Sequence, residues 1–242
     1  MSKKLPKIIV ILGPTASGKT KLSLKLAREF NGEIISADSR LIYKGMDIGS
    51  CKPTKKQQRP IRHHLIDIAR PDQVVTLTAW QRAAFRNIDA ILKKKKLPFL
   101  VGGSWLYMSS IIENYRIPQT KGRPRYDALT IGIAVPRGRL YRTINARVTA
   151  LIRAGLEREV RQLAKKYSWS WPSMHGIGYR EWQSYFNGEQ SKKDTIAAIQ
   201  QATRNFAKRQ MTWFRGMERR HPIHWVTTPS TANNYQRLSH IK

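Results

Sequence analysis

Short apolar runs alternate with longer amphipathic stretches through the first half of the chain. The apolar runs predict β-strands at residues 7–12, 33–37, 64–68, 98–101 and 129–135, with a further strand at 223–226. The amphipathic stretches, whose apolar residues lie three or four positions apart, predict helices at residues 19–30, 77–95 and 105–113. Because strands that alternate with helices form parallel sheets, the pattern predicts an α/β fold: a parallel sheet flanked by helices.

After the fifth predicted strand the chain becomes mostly helical, with predicted helices at residues 138–154, 156–167, 179–186 and 194–217. We therefore predict an α/β core at residues 1–136 and a helical C-terminal part at residues 137–242 that completes the core. Within the first part, residues 115–126 (YRIPQTKGRPRY) form a basic connector rich in proline and glycine, which predicts a loop.

The last predicted helix has two different faces. At about 100° per residue, one side collects the apolar residues Ile199, Ala202, Phe206, Trp213 and Met217. The opposite side carries the cations Arg204, Lys208, Arg215 and Arg219. We expect the first side to pack against the core. The second side is either a solvated surface or a contact surface for a polyanion, and the scarcity of acidic residues favours the polyanion.

The charge balance is strongly basic, since 45 Lys and Arg residues stand against 15 Asp and Glu residues, a formal net charge of +30. Such a chain repels itself unless it binds a polyanion, and nucleic acid is the favoured partner. No apolar run is long enough for a membrane span or a signal peptide, so we expect no membrane association. The single cysteine, Cys51, excludes an intramolecular disulfide and favours the cytoplasm.

Residues 13–20, GPTASGKT, directly follow the first predicted strand. A glycine-rich turn between a strand and a helix is typical of a phosphate-binding loop, in which backbone N–H groups and the helix N-terminus face the anion. In this loop Lys19 adds a positive charge, and the Thr20 hydroxyl is a candidate ligand for Mg²⁺. The predicted phosphate-binding residues are Gly13, Pro14, Thr15, Ala16, Ser17, Gly18, Lys19 and Thr20. This makes the fold similar to that of P-loop NTPases.

Functional side chains in such folds lie at the C-terminal ends of the strands. The second predicted strand ends in Asp38, which Ser39 follows, whereas the fourth ends in glycines and Asp67 ends a weaker strand. Asp38 is either a helix N-cap or a carboxylate that faces the reacting group, as a general base or through Mg²⁺.

Six segments in one order carry a specific resemblance. They are GPTASGKT, ISADSRLIYKGMDIGSCKP (residues 35–53), VGGSWLY (101–107), GLEREVRQL (155–163), GIGYREW (176–182) and AKRQMTWFRG (207–216). In this order they resemble the tRNA dimethylallyltransferase (tRNA isopentenyltransferase) family.

The resemblance implies transfer of the dimethylallyl group of dimethylallyl diphosphate to N6 of the adenosine just 3′ of a tRNA anticodon. The phosphate-binding loop would then hold a leaving group, whose developing negative charge Lys19, backbone N–H groups and the cofactor Mg²⁺ at Thr20 would stabilise. The resemblance makes Asp38 the acceptor of the amine's hydrogen bond, and Ser104 and Arg161 the residues that handle the diphosphate. Its RNA-contacting positions are Asp38, Ser39, Arg40, Leu41, Ser104, His175, Gly176, Ile177, Gly178, Tyr179, Arg180, Lys208, Arg209, Gln210, Met211, Thr212, Trp213, Phe214 and Arg215.

Two features depart from the family pattern. Relatives have Thr, commonly followed by Gly, where this chain has Ser104 and Trp105, and a tryptophan beside the substrate tunnel would narrow it. Relatives also carry a helical insertion that helps to grip the anticodon stem-loop, whereas this chain has only the connector 115–126. We expect the charges of Lys121, Arg123 and Arg125 to compensate for its loss.

Three other functions stay open: a prenyltransferase acting on free adenine nucleotide, a P-loop nucleotide kinase, and a non-catalytic RNA-binding remnant. The net charge counts against the first, and the lack of a second acidic strand end counts against the kinase. The presence of Lys19, Thr20 and Asp38 counts against decay. We expect a monomeric enzyme whose partners are the tRNA anticodon stem-loop and dimethylallyl diphosphate.

Overall fold

The computed structural model describes residues 4–116 and 120–227. Its strands are β1 Lys7–Leu12, β2 Gly32–Ala37, β3 His63–His64, β4 Leu97–Gly102, β5 Tyr115–Arg116, β6 Thr120–Lys121, β7 Asp127–Ile133 and β8 Ile223–Val226. Six of them form one sheet in the order β3-β2-β4-β1-β7-β8. All adjacent pairs in this sheet are parallel, which confirms the predicted α/β class.

Helices cover both faces of the sheet. The first four are α1 Lys19–Glu29, α2 Lys55–Gln58, α3 Leu77–Lys93 and α4 Trp105–Ile112. Because side chains alternate along a strand, β1 sends Ile11 to the face covered by Leu22 of α1. It sends Val10 to the opposite face, where Trp80 of α3 and Met108 of α4 are buried. The central strand is therefore apolar on both sides, as a buried parallel strand requires.

The C-terminal part contains α5 Arg137–Arg153, α6 Leu156–Ala164, α7 Trp182–Phe186 and α8 Lys192–Glu218. Phe214 and Met217 of α8 are buried in the main core. The chain then enters the sheet as β8, beside β7. The second part thus shares the core of the first, while the boundary at residues 136 and 137 stays a prediction. No helix in the described part of the chain is long and apolar enough to cross a membrane.

Several predicted elements are shorter in the structure. Strand β3 ends at His64, because Leu65 and Asp67 have φ angles of 62° and 56°, which a strand cannot accommodate. The prediction that Asp67 ends a strand is therefore wrong. Helix α6 ends at Ala164 and α7 begins only at Trp182, since the residues between them form turns.

The buried side of α8 agrees only in part with the predicted one, since Ile199 and Met217 are buried but Ala202, Phe206 and Trp213 are not. Its buried residues are Thr195, Ile199, Ala207, Gln210, Phe214 and Met217. Trp213, predicted to pack inward, is 48% exposed. The apolar pattern does not mark the whole buried side, because a polar residue, Gln210, lies at its centre. The cations Lys208, Arg215 and Arg219 are exposed, as predicted.

The connector is partly a hairpin, because β5 and β6 pair in antiparallel fashion, and it ends where Asp127 pairs with Lys7 at the start of β1. The phosphate-binding loop follows the other end of β1. Arg125 therefore lies near the N-terminal ends of the strands, away from the phosphate-binding loop. There it binds Asp89 at 3.0 Å and stacks 4.3 Å from the ring centre of Phe85. These contacts anchor the connector to α3, and the expectation that the charges of Lys121, Arg123 and Arg125 compensate for the lost insertion stays a prediction. The side chain of Lys121 lies outside the described residues.

Candidate active site at the phosphate-binding loop

The phosphate-binding loop forms the turn between β1 and α1. Gly18, with a φ of 95°, immediately precedes the first residue of α1, Lys19. A Cβ atom on Gly13 would lie 2.9 Å from the Ser17 hydroxyl and 3.2 Å from the carbonyl oxygen of Ile133, so only glycine fits there without displacement. The Ser17 hydroxyl is buried and has no hydrogen-bond partner in the part of the chain that the structure describes. A buried orphan hydroxyl in such a loop is what a bound phosphate oxygen would satisfy.

The Lys19 ammonium group lies across the mouth of the loop. Its Nζ donates hydrogen bonds to the carbonyl oxygens of Gly13 at 2.9 Å and Pro14 at 2.8 Å. The pKa of Lys19 is lowered to about 8, mainly by burial; Asp38 opposes the shift, and the nearby Arg147 contributes to it. The ammonium group is therefore charged at neutral pH, but it lies in an environment that favours an added anion.

A cavity of about 420 Å³ opens over the loop, lined by Ala16, Gly18, Lys19, Thr20, Lys21, Leu24, Gln57 and Arg147. Arg147, an exposed residue of α5, is the functional candidate that the sequence did not reveal. Its charge acts on both Lys19 and Cys51, so its guanidinium lies beside the loop. No motif marks it, because only the path of α5 brings it to this cavity.

Asp38 and Ser104 meet at the ends of β2 and β4, which are neighbours in the sheet. The Asp38 carboxylate accepts a hydrogen bond from the Arg40 N–H at 2.9 Å. The Ser104 hydroxyl accepts one from the Ser39 N–H at 3.1 Å, and the Ser104 N–H donates to the Ala37 carbonyl oxygen at 3.2 Å. The Asp38 carboxylate and the Ser104 hydroxyl are thus held close together where β2 and β4 end.

Arg161 lies apart from this group. Its guanidinium donates to Glu157 at 3.0 Å and stacks over the Phe186 ring at 4.3 Å from the ring centre. Both partners belong to the helical C-terminal part, and neither lines the cavity over the phosphate-binding loop. The role of Arg161 at the diphosphate stays a prediction, whereas Arg147 is the arginine whose side chain lines the cavity over that loop.

The predicted RNA-contacting residues fall into three groups by exposure. The exposed ones are His175, Arg180, Lys208, Arg209, Thr212, Trp213 and Arg215, whereas Asp38, Ser39, Arg40, Leu41, Ser104, Ile177 and Met211 are half-buried. The buried ones are Gly176, Gly178, Tyr179, Gln210 and Phe214. The side chains of Tyr179 and Phe214 are buried and support the surface from beneath, and their contact with RNA stays a prediction.

Glu159, which the sequence did not single out, holds the buried Tyr179 and a nearby loop in place. Its carboxylate accepts hydrogen bonds from the N–H groups of Asp47, Ile48 and Gly49 at 2.7–3.0 Å. It also accepts the hydroxyl of Tyr179 at 2.9 Å, and burial raises the pKa of that tyrosine. The Glu159 carboxylate therefore fixes residues 47–49, which lead to Cys51 beside Arg147 and Lys19.

Comparison with known proteins agrees with this geometry. The family model described as IPP transferase matches residues 41–125 and 117–217. A tRNA dimethylallyltransferase of Roseiflexus sp. (strain RS-1) is 34% identical, with 95% of each chain covered. A tRNA dimethylallyltransferase of Staphylococcus aureus (strain bovine RF122 / ET3-1) is also 34% identical, with 93% of this chain and 94% of the relative covered.

Solved structures show the same fold. A full-length tRNA isopentenylpyrophosphate transferase of Bacillus halodurans superposes with a TM-score of 0.87 at 29% identity, covering 97% of this chain and 94% of that one. A tRNA isopentenylpyrophosphate transferase of Staphylococcus epidermidis gives a TM-score of 0.85 at 30% identity, covering 98% and 97%.

The alignment with the Roseiflexus relative runs over 294 positions, more than the 242 residues of this chain, so that relative has a segment that this chain lacks. The two matched segments of the family model meet at residues 117–125, within the connector. This agrees with the predicted loss of an insertion there. The matched model covers most of the chain, and relatives share a third of its residues along nearly their whole length, so this chain belongs to the IPP transferase family, that of the tRNA dimethylallyltransferases.

Proposed function

We propose that this chain transfers the dimethylallyl group of dimethylallyl diphosphate to N6 of the adenosine 3′ of the anticodon in tRNA. The observation that carries the proposal is the convergence of an anion-binding loop and a carboxylate, Asp38, at the ends of β1, β2 and β4. The family membership supports the same chemistry. Such a site suits a reaction in which an amine attacks carbon while diphosphate leaves.

In this reaction the bond between C1 of the dimethylallyl group and the diphosphate oxygen breaks, and a bond from C1 to N6 forms. Negative charge develops on the diphosphate as positive charge develops on C1. Lys19, the loop N–H groups and the Ser17 hydroxyl would take up the diphosphate, and their alignment before the reaction is what lowers the barrier. We assign the supporting guanidinium to Arg147, because it shares the cavity with Lys19.

Mg²⁺ fits this site as a companion of the diphosphate. No cluster of three His, Cys, Asp or Glu residues that could hold a metal occurs within residues 4–116 and 120–227. Mg²⁺ is commonly bound through substrate phosphates, waters and one or two protein oxygens. The Thr20 hydroxyl lines the cavity and would supply one such oxygen. Bound Mg²⁺ would neutralise part of the charge on the leaving diphosphate.

Asp38 is suited to receive the N6 proton. Its Oδ1 atom is held by the Arg40 N–H, and Arg40 is itself held because its guanidinium donates to the Pro172 carbonyl oxygen at 2.8 Å. A carboxylate fixed in this way accepts a hydrogen bond from the exocyclic amine and opposes delocalisation of its lone pair into the ring. The proton leaves N6 as the new carbon–nitrogen bond forms, either to Asp38 or through it to water.

The RNA partner is supported by charge and exposure together. His175, Arg180, Lys208, Arg209 and Arg215 are exposed, and the formal net charge is +30. An adenosine in an anticodon loop must leave its stack to reach the half-buried Asp38 carboxylate, at a cost of a few kcal/mol. Contacts from these cations to neighbouring phosphates would offset that cost. A monomeric state and a cytoplasmic location remain predictions.

The test uses purified protein with Mg²⁺ and dimethylallyl diphosphate, and it follows prenylated nucleosides by mass spectrometry. Unmodified tRNA, an isolated anticodon stem-loop and AMP serve as competing acceptors. The proposal expects prenylated tRNA in the wild type, abolition in Asp38→Asn and normal transfer in the surface control Asp72→Asn. Prenylated AMP with unreacted tRNA would instead favour the free-nucleotide enzyme, which the missing segment makes the second candidate. Absence of transfer to every acceptor would overturn both.

A further inference from the structure

Two tryptophans from different parts of the chain form a stack beside the site. Trp105, the first residue of α4, and Trp213 of α8 have ring centres 4.1 Å apart and planes inclined by 10°. Trp105 also packs against the main core. Trp213 keeps 48% of its surface exposed, although one face is covered by Trp105. The stack therefore has a supported inner ring and an open outer ring.

The open side of Trp213 borders a cavity of about 410 Å³ lined by Asn205, Lys208, Arg209, Thr212 and Trp213. Asn205, Arg209 and Trp213 follow one another at intervals of four residues, and Lys208 and Thr212 lie one position before the last two. All five therefore lie on one side of α8. Neither Lys208 nor Arg209 has a carboxylate partner within residues 4–116 and 120–227. An exposed aromatic ring beside unpaired cations is the combination that binds single-stranded nucleic acid, since the ring stacks a base and the cations meet its phosphate.

Residues close to Trp105 and Trp213 in the sequence contact the catalytic groups. Ser104, which precedes Trp105, binds the Ser39 N–H next to Asp38. Gln210, one helical turn before Trp213, binds the Thr15 N–H in the phosphate-binding loop. A nucleotide next to the one that reaches Asp38 would therefore lie within reach of the outer ring.

We propose that Trp213, backed by Trp105, is a stacking platform for the base of a nucleotide that flanks the target adenosine. The proposal rests on the proposed function for the identity of the RNA. It commits to single-stranded RNA because the surrounding side chains are cationic. In this arrangement Trp105 is a positioning residue, which holds the Trp213 ring flat and excludes water from its inner face.

The experiment measures the dissociation constant of the unmodified anticodon stem-loop for the wild type and for Trp213→Leu, Trp213→Phe, Trp105→Leu and the control Leu106→Ala. Leu106 follows Trp105 in α4 and is 38% exposed, but it is not part of the stack. We expect about tenfold weaker binding for both leucine variants, a smaller loss for Trp213→Phe, and no change for the control. Circular dichroism should lose the exciton couplet of the paired indoles in both leucine variants, while the urea midpoint reports folding.

A second arm replaces each nucleotide flanking the target adenosine, in turn, by an abasic one. One replacement should weaken binding to the wild type but cause little further loss with Trp213→Leu, because both changes remove the same contact. Additive losses at both positions, or an equal loss in Leu106→Ala, would overturn the proposal. Because this experiment measures binding, it decides the inference independently of catalysis. Absence of prenyl transfer would count against the proposed function alone.

Discussion

The side-chain oxygen of Gln210 accepts a hydrogen bond at 2.8 Å from the backbone N–H of Thr15, a residue 195 positions earlier in the chain. The amide nitrogen of the same side chain donates to the Gly103 carbonyl oxygen at 3.0 Å. One buried amide thus joins α8 to the phosphate-binding loop and to the turn after β4. The shape of the anion site therefore depends on the C-terminal helix as well as on the loop itself.

Replacing Gln210 by alanine should weaken both folding and anion binding. The change leaves the Thr15 N–H and the Gly103 carbonyl without their partner, and we expect a loss of about 2 kcal/mol in the free energy of unfolding. Urea denaturation measures that loss, and calorimetric titration with inorganic diphosphate measures the anion affinity. Gln201→Ala, on the exposed side of the same helix, is the matched control. If the two variants behave alike, Gln210 does not support the loop.

Diphosphate affinity should fall as the pH rises past about 8. Burial lowers the pKa of Lys19 to about 8, so above that pH the free protein loses the positive charge that attracts the anion. Because diphosphate itself titrates, the informative quantity is the ratio of dissociation constants for the wild type and Lys19→Arg, in which the charge persists. We expect that ratio to grow between pH 7 and pH 9. A constant ratio would show that Lys19 stays protonated over this range.

The repeated βαβ pattern and the loop sequence were enough to predict the fold class. Strands of continuous Ile, Val and Leu have one stable environment, between two layers of helices. The position of Asp38 beside the loop was predictable for a similar reason, since parallel strands end on the same side of the sheet, whereas Ser104 was indicated only by the family resemblance. In contrast, Arg147 was not predictable, because its approach to Lys19 depends on how α5 crosses that edge, and no local pattern encodes such a path.

The inward side of α8 was misassigned for a physical reason. A pattern of apolar residues indicates only the apolar positions that are buried. Gln210 is polar and is buried because two backbone groups of the site satisfy its amide. Glu159 was missed for the same reason, since three backbone N–H groups and the Tyr179 hydroxyl hold its carboxylate. The partners of both side chains are remote in sequence, so no local pattern indicates these contacts.

Acid should destabilise the protein through Glu33, far from the site. Burial alone would raise the pKa of Glu33, but hydrogen bonds from His64 at 2.7 Å and Lys96 at 2.9 Å outweigh it and lower the pKa to about 2. A carboxyl group whose folded pKa is lowered stabilises the fold above its ordinary pKa of 4.5, and this contribution is lost as the pH falls from 4.5 towards 2.

Glu33→Gln should accordingly reduce the free energy of unfolding at pH 7 by about 3 kcal/mol, and the difference from the wild type should shrink at pH 3. Urea denaturation at both pH values provides the comparison. Glu29→Gln, an exposed neighbour at the end of α1, should change little at either pH. An equal difference at pH 7 and pH 3 would mean that packing, and not ionisation, accounts for the role of Glu33.

The structure and the sequence assign the diphosphate contact to different arginines on adjacent helices, Arg147 of α5 and Arg161 of α6. Arg147 lies beside Lys19 over the phosphate-binding loop, whereas Arg161 pairs with Glu157 and stacks on Phe186. Arg147→Ala should weaken binding of inorganic diphosphate and lower the rate of prenyl transfer by roughly 10²-fold or more, because one charge facing the leaving group is removed. Arg161→Ala should leave both quantities near the wild-type values, since an exposed ion pair contributes little. Titration calorimetry and single-turnover kinetics distinguish the two. The reverse ranking, with Arg161→Ala impaired and Arg147→Ala active, would return the diphosphate contact to α6 and require that helix to move during the reaction.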